Sequence, residues 1–354
     1  MAASRSRSGR GSASRSTSTP SNRTWWTARR CSTRREPMTD LVAFGETMLR
    51  LSPPPGVRLE TTDRLELRAA GAESNVAVAA DRLGADAAWL SKLPASPLGR
   101  RVEGDLRRHG IETAVAWSED GRQGTYYLEQ AGEPRGTDVI YDRADAAVTT
   151  ATPDDLDTGL VREASVFFTT GITPALSDTL AATTADLLAT ARDAGATTAF
   201  DVNYRSKLWS PAAARATLTD LFPAVDVLVV ADRDAREVLD FDGTPAAVAR
   251  DLAAAFDFET VVVTLGDDGA LALHDDAVVE QAAFDADTVD PIGTGDAFAG
   301  AFLALRLEGA TVPVALEYGA ATAALARTIP GDVAVVTRDE VERVVAEGGR
   351  AISR

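Results

Sequence analysis

Cysteine, lysine and histidine are nearly missing from this chain of 354 residues. The one cysteine, Cys31, lies in an N-terminal segment unlike the rest, so the remainder can form neither a disulfide nor a cysteine-based metal site. The two histidines, His109 and His274, stand near no candidate nucleophile, which weakens Ser/His hydrolase and zinc chemistry. No apolar run reaches the roughly 18 residues that cross a bilayer, so a cytoplasmic protein without a membrane partner is expected. A GxxxxGK[ST] loop is absent, and no GxGxxG opens a helix after the first strand; Walker-type and dinucleotide-binding folds drop out with them.

What remains is rich in Ala, Asp and Glu. Net charge is −17, but residues 1–37 hold nine Arg and one Glu, leaving 27 basic against 52 acidic residues in the body. Such a body repels nucleic acid and anionic membranes. With Lys92 and Lys207 as the only lysines, the surface suits concentrated salt, where screening removes self-repulsion, and this points to a halophilic source. Residues 1–37 are low-complexity Ser/Arg/Thr, expected to be disordered. A nucleic-acid arm, a transit-like peptide and a functionless tail are the readings open to them. Composition changes abruptly at Met38, which favours the last and makes Met38 a candidate start.

From residue 38 onward, strand-like and helix-like stretches alternate. LVAFGE reads as a buried first strand, and AAGAESNVAVAADRLGA as a helix with small residues on one face. GTYYLEQAGEPRGTDVIYDR alternates as a hairpin with EPRG at its turn. SVFFTTGI, TTAFDVNYR, VDVLVVAD and TVVVTLGDDGALAL follow as strands, with helices expected around 176–194, 211–221 and 234–256. Continuously apolar strands such as VDVLVVA are those of a parallel sheet buried on both faces, so the fold class is α/β, a doubly wound sheet with ligands at the C-terminal strand ends.

The stretch VDPIGTGDAFAGAFL, residues 289–303, carries the clearest chemistry. A strand-like run ends at Pro291, the turn Gly293-Thr294-Gly295 follows, and a helix is expected from Asp296. Unpaired N–H groups at a helix start, at the positive end of its dipole, hold an anion, and a phosphate in transfer is the obvious one. Asp296 beside it could take a proton from an attacking hydroxyl. Taken alone, the motif is explained as well by a helix cap after a tight turn.

Three motifs in order, GAESNVAVAADRLG, VTLGDDGA and DPIGTGDAFAGAF, resemble those of ribokinase-like (PfkB) sugar kinases over about residues 40–345. FGETMLRLSPP, GTYYLE, VIYDRADAA, TTGITPAL and DVNYRSKLWS further resemble the 2-keto-3-deoxygluconate kinases within that family. The resemblance implies a ribokinase-like, mostly parallel sheet with a small β lid from about 49–70 and 122–144. It implies Asp296 as the base and the amides of Gly293, Thr294 and Gly295 as the phosphoryl cradle. Thr264, Gly266 and Gly269 would line the nucleotide, and Gly71, Asn75, Tyr127, Tyr141, Arg143, Ile172, Arg205 and Asp332 the substrate. ATP and Mg2+ would take part, a monovalent cation is a further ion the family allows, and a homo-oligomer is expected.

Residue chemistry agrees with that substrate class. A ketodeoxy sugar acid carries a carboxylate, which Arg143 or Arg205 could grip in a charge-assisted pair more specifically than lysine; the plainer reading of each is a surface ion pair. Two departures stand out. Arg50 occupies the position where neutral-sugar kinases of the family place an Asp for sugar hydroxyls, which disfavours a neutral sugar. The family's magnesium-ordering NxxE corresponds to Ala231-Asp232-Arg233-Asp234, so Asn is lost and Glu becomes Asp; the side chain that supports the metal stays open, with Asp234 a candidate. The expected activity is ATP-dependent phosphorylation of the terminal hydroxyl of 2-keto-3-deoxygluconate, with another sugar kinase of the same family, such as a fructokinase, as the alternative. A sugar-responsive regulator is a non-enzyme alternative, disfavoured because it would have no need of the intact GTGD.

Overall fold

The structure, a computed structural model, describes residues 39–130 and 134–348; the Ser/Arg-rich segment 1–37 and Glu133 of the EPRG turn lie outside them. In chain order the elements are β1 (Leu41–Phe44), β2 (Met48–Ser52), β3 (Glu66–Ala70), α1 (Ala72–Arg82), β4 (Ala87–Pro94), α2 (Pro97–Arg107), β5 (Glu112–Ser118), β6 (Thr125–Glu129), β7 (Asp138–Asp142), α3 (Thr158–Glu163), β8 (Val166–Thr170), α4 (Asp178–Ala194) and β9 (Thr197–Asp201). There follow α5 (Pro211–Leu221), β10 (Val227–Ala231), α6 (Asp232–Glu237), α7 (Pro245–Phe256), β11 (Thr260–Thr264), β12 (Ala270–His274), β13 (Ala277–Gln281), α8 (Thr294–Leu307), α9 (Val312–Arg327) and α10 (Arg338–Glu347). None of these helices is long and apolar enough to cross a membrane.

Nine strands form one sheet in the order β13-β12-β11-β10-β9-β8-β1-β4-β5. All neighbours are parallel except the β11–β12 and β12–β13 pairs, where the turn within TLGDDG and the turn at Asp275-Asp276 reverse the chain. The apolar runs of the sequence become its central strands because both faces are covered. Val42, Phe44, Phe167, Phe200, Leu228 and Val261 face a core built with Leu187 and Leu188 of α4, Leu218 of α5 and Leu252 of α7. The alternate residues Ala43, Phe168, Ala199 and Val229 are equally buried and turn the other way, where α1 lies on β1 and β4 and packs in turn against α8. At about 1.5–3 kcal/mol for each fully buried large apolar side chain, these two layers hold the fold.

A second sheet of four strands, β3-β2-β6-β7, stands apart from the first. β2 and β3 pair antiparallel, as do β6 and β7, and β2 runs parallel to β6. The expected hairpin is therefore real, with Tyr126 opposite Tyr141.

Three expectations need correction. The helix expected over 234–256 is two helices, α6 and α7, because Asp240 (φ 64) and Gly243 (φ 138) leave helical space and Thr244 caps a fresh start at Pro245. No strand precedes the GTGD turn; residues 282–293 are irregular, tied to the large unit by Val289 N and Asp290 N donating to the Arg327 carbonyl. The last helix of the motif starts at Thr294, two residues before Asp296, with Gly293 as its N-cap.

Candidate active site

The start of α8 is fixed by a turn that only glycine can make. Gly293 has φ 77, and a Cβ there would lie 2.0 Å from the Asp332 carbonyl oxygen. Thr294 Oγ1 donates back to the Pro291 carbonyl at 2.7 Å, and the first helical bond runs from Ala297 N to Gly293 O at 2.8 Å. The amides of Thr294, Gly295 and Asp296 therefore precede the helical ladder and carry its positive end. A Cβ on Gly295 would meet nothing, so this side of the turn is open to a ligand.

Asp296 does not stand free. Its Oδ2 accepts from Nδ2 of Asn75 at 2.7 Å, and the side chain of Asn203 donates to it as well. Burial pushes its carboxyl up to about 6, against the pull of Asn75 and Arg205 and with help from the Asp332 charge. Asn75 reaches it because α1 and α8 cross closely: a Cβ on Gly300 would lie 2.5 Å from the Val76 carbonyl. The Asn75 Oδ1 is buried without a partner among the described residues, an acceptor available to a ligand hydroxyl. Gly71 caps α1 beside the β1–β2 loop, where a Cβ would sit 2.2 Å from the Glu46 carbonyl, so backbone packing alone requires glycine there.

Two carboxyls of this region, buried Glu73 and half-buried Asp201, went unremarked in the sequence. Glu73, in the first turn of α1, accepts from Thr170 Oγ1 and Thr173 Oγ1, both at 2.7 Å, and burial lifts it to about 7. Asp201, at the C-terminal end of β9, is lifted to about 8, by burial first and then by the charges of Asp296 and Asp234, while Arg205 opposes. Arg205 follows on the same loop, its guanidinium held by the carbonyls of Tyr204 at 3.0 Å and Asn203 at 3.4 Å, beside Asp201 and Asp296. Ile172 lies on the turn after β8, its amide on Thr170 Oγ1 at 3.1 Å. The strand ends of the parallel sheet thus bring Ile172, Asp201, Asn203 and Arg205 to one edge, as the sheet topology requires.

The small sheet supplies the remaining residues. Arg143 is ion-paired to buried Glu46 and lies 5.4 Å from the Tyr141 ring centre, so part of its hydrogen-bonding capacity is spent. Strand alternation puts Tyr126 and Tyr127 on opposite faces of this sheet, and it is Tyr126 that faces the α8 turn and donates to Asp332 Oδ1 at 2.9 Å. Asp332 has its other oxygen on Arg50 at 2.9 Å, so both of its oxygens are engaged within the protein.

The pfkB family carbohydrate kinase pattern matches residues 38–338. The chain belongs to the pfkB family of carbohydrate kinases. It is 64% identical over 315 residues to a 2-dehydro-3-deoxygalactonokinase of Haloferax volcanii, covering 89% of this chain and 99% of that one. A 2-dehydro-3-deoxygluconokinase of Thermoproteus tenax is 32% identical, covering 86% and 94%. Among solved structures, the 2-dehydro-3-deoxygluconokinase of Thermotoga maritima superposes with a TM-score of 0.83 at 33% identity, over 87% of this chain and 98% of that one. The acidic, lysine-poor surface of this sugar kinase fits the halophilic reading.

In the kinase, Thr264 ends β11, and Gly266 and Gly269 bracket a single 3-10 turn, with Gly269 pressed on the backbone of Gln281 and Ala283. Asp267 on that turn pairs with Arg327 at 2.9 Å, which also holds Thr288 Oγ1 and so joins this turn to the approach to α8. Asp234 is buried, pairs with Arg233 at 3.0 Å and is raised by burial. Among the described residues no group of three or more His, Cys, Asp or Glu is arranged to hold a metal directly. The donor set nevertheless suits a divalent cation carried on phosphates: Asp201 and Asp296 are lifted by burial and by neighbouring negative charge, which a cation would relieve.

Proposed function

We propose that the kinase transfers the terminal phosphoryl group of ATP to the terminal hydroxyl of a 2-keto-3-deoxy sugar acid derived from gluconate or galactonate. The observation that carries this reading is Asp296 held by Asn75 at the open amino end of α8. With its carboxyl lifted only to about 6, Asp296 is ionised at neutral pH yet basic enough to accept the proton of the attacking hydroxyl. The amides of Thr294 and Gly295, with the turn at Gly293, hold the phosphoryl oxygens as charge builds on them. Asn75 Oδ1 accepts from a sugar hydroxyl, and Arg205 pairs with the substrate carboxylate beside the base. Arg143, oriented by Glu46 and Tyr141, and Ile172 close the substrate side, while Gly71 lets the chain approach. The turn of Thr264, Gly266 and Gly269 borders the nucleotide. When bound, magnesium neutralises the phosphate charge, and Asp234 and Asp201 are the carboxylates that would hold its hydration shell. The sheet β3-β2-β6-β7 acts as a lid that keeps water from the phosphoryl group. A donor such as ATP makes the cytoplasm the site of action.

The motifs lean to the gluconate-derived acid, and the Haloferax relative is named for the galactonate-derived one. The reading is tested by kcat/KM for both epimers and for fructose, with ATP and magnesium in multimolar KCl, and by NMR of the product. A phosphate ester on the terminal carbon of either acid is expected; preference for fructose moves the kinase to the fructokinase alternative, and an ester at another carbon overturns the assigned acceptor hydroxyl.

A further inference from the structure

One transverse row of the small sheet faces the loops that frame α8. Arg68 of β3, Arg50 of β2, Tyr126 of β6 and Tyr141 of β7 are direct cross-strand neighbours. Arg68 donates to the Pro330 carbonyl at 2.6 Å, Arg50 to Asp290 and Asp332 at 2.9 Å each, and Tyr126 to Asp332 at 2.9 Å. Ile292, in the turn itself, packs against the apolar part of the same face with Met48, Ala70 and Leu128.

Arg50 sits at the centre of this row and is only 4% exposed. Its Nε is also used, on Ser52 Oγ at 2.9 Å, so the guanidinium is fastened on three sides. Each carboxylate it holds bears on the phosphoryl cradle. Asp290 accepts from the amides of Ile292 and Gly331, both at 3.1 Å, and so sets the residue before Gly293. Asp332 backs Gly293 through its own carbonyl. Burying three charges costs desolvation that an apolar contact would avoid; what the network adds over Ile292 is a fixed geometry.

We propose that Arg50 is a positioning residue for phosphoryl transfer. Through Asp290 and Asp332 it ties the turn that aims the α8 amides to the small sheet, so the cradle takes its working shape only when that sheet is in place. The claim rests on the reading of the α8 start as the phosphoryl site. It gives Asp332 a task in the latch, where the motif resemblance implied a substrate contact.

Arg50→Lys keeps one charge but cannot span both carboxylates. The expected result is kcat lower by about 10 to 100-fold, the scale of one lost charged hydrogen bond, with KM for ATP and for the sugar acid within about threefold of wild type. A kcat within about twofold of wild type overturns the proposal. So does a loss carried by KM alone, which would make Arg50 a substrate ligand. Should that variant not fold, Tyr126→Phe leaves all three charges in place; kcat about threefold to tenfold lower at unchanged KM is expected, and no loss in kcat overturns the proposal. Asp296→Asn assayed alongside separates the two claims. Full activity there removes the site reading itself, whereas an inactive Asp296→Asn beside a fully active Arg50→Lys removes only the positioning role.

Discussion

Asn75 donates its side-chain amide to Oδ2 of Asp296 at 2.7 Å, joining residues 221 positions apart. An asparagine in that place can only donate to the carboxylate, so it favours the charged form while burial opposes it. The balance leaves a carboxylate that is ionised at neutral pH and still able to take a proton, as the proposed base must be.

Asp296→Asn removes that base while keeping its shape. Turnover is expected to fall by about 10² to 10⁴-fold, the usual worth of general-base catalysis, with substrate KM and melting temperature little changed. Steady-state kinetics on the folded variant check this, and near-normal turnover would remove the assignment.

The pH dependence follows from the same pair. With Asp296 as the proposed base, kcat/KM should rise with pH through about 6 and level off above it. Asn75→Ala deletes a hydrogen bond to the charged form, so the acid limb should move to higher pH. A limb that stays put, or moves down, would mean another group controls it.

Glu46 orients Arg143 from a buried position, where burial raises its carboxyl and the Arg143 charge opposes. Glu46→Gln should raise KM for the sugar acid by about threefold to tenfold with kcat nearly unchanged, since Arg143 keeps its charge but loses its orientation. It should also destabilise the fold by about 3 kcal/mol, the lower end for breaking a buried pair. Kinetics and thermal melts on the same preparation separate the two effects.

Asp201 makes stability depend on pH in a definite direction. Its folded carboxyl, at about 8, binds its proton more tightly than the unfolded chain does, so its contribution is complete at low pH and is lost as pH rises toward and through 8. Asp201→Asn has no charge to bury and can still accept the Asn203 amide that Asp201 holds at 3.0 Å. It should therefore melt above wild type at pH 8, with the gap closing toward pH 5 in the same salt. A gap that widens toward acid would contradict the origin of the shift.

Local pattern made the large sheet readable: runs such as Val227–Ala231 are apolar throughout because helices cover both faces. The GTGD turn was readable for the same kind of reason, since Gly293 and the helix start are neighbours in sequence. What failed was phase and distance. A one-residue shift in GTYYLE would exchange the faces of Tyr126 and Tyr127, and only the pairing of β6 with β2 and β7 shows which of them meets the α8 turn. The break between α6 and α7 was visible in Gly243-Thr244-Pro245, but the apolar period on either side outweighed it. Asp201 and Asn203 stood in the DVNYR stretch beside Arg205 without attracting notice, because nothing local says a carboxylate at a strand end will be buried next to Asp296. The partners of Arg50, 240 and 282 positions away, leave no local trace at all.

The most direct test of the central claim, a kinase that reads a sugar acid through its carboxylate, is Arg205→Ala assayed on the preferred 2-keto-3-deoxy acid and on fructose, with ATP and magnesium in multimolar KCl. At a pH well above the Asp296 acid limb, chosen because the Arg205 charge also helps keep that carboxyl ionised, losing a charged hydrogen bond should raise KM for the acid by about 10 to 100-fold and leave the neutral ketose almost unaffected. Wild type preferring fructose, or both substrates suffering equally in the variant, would contradict it.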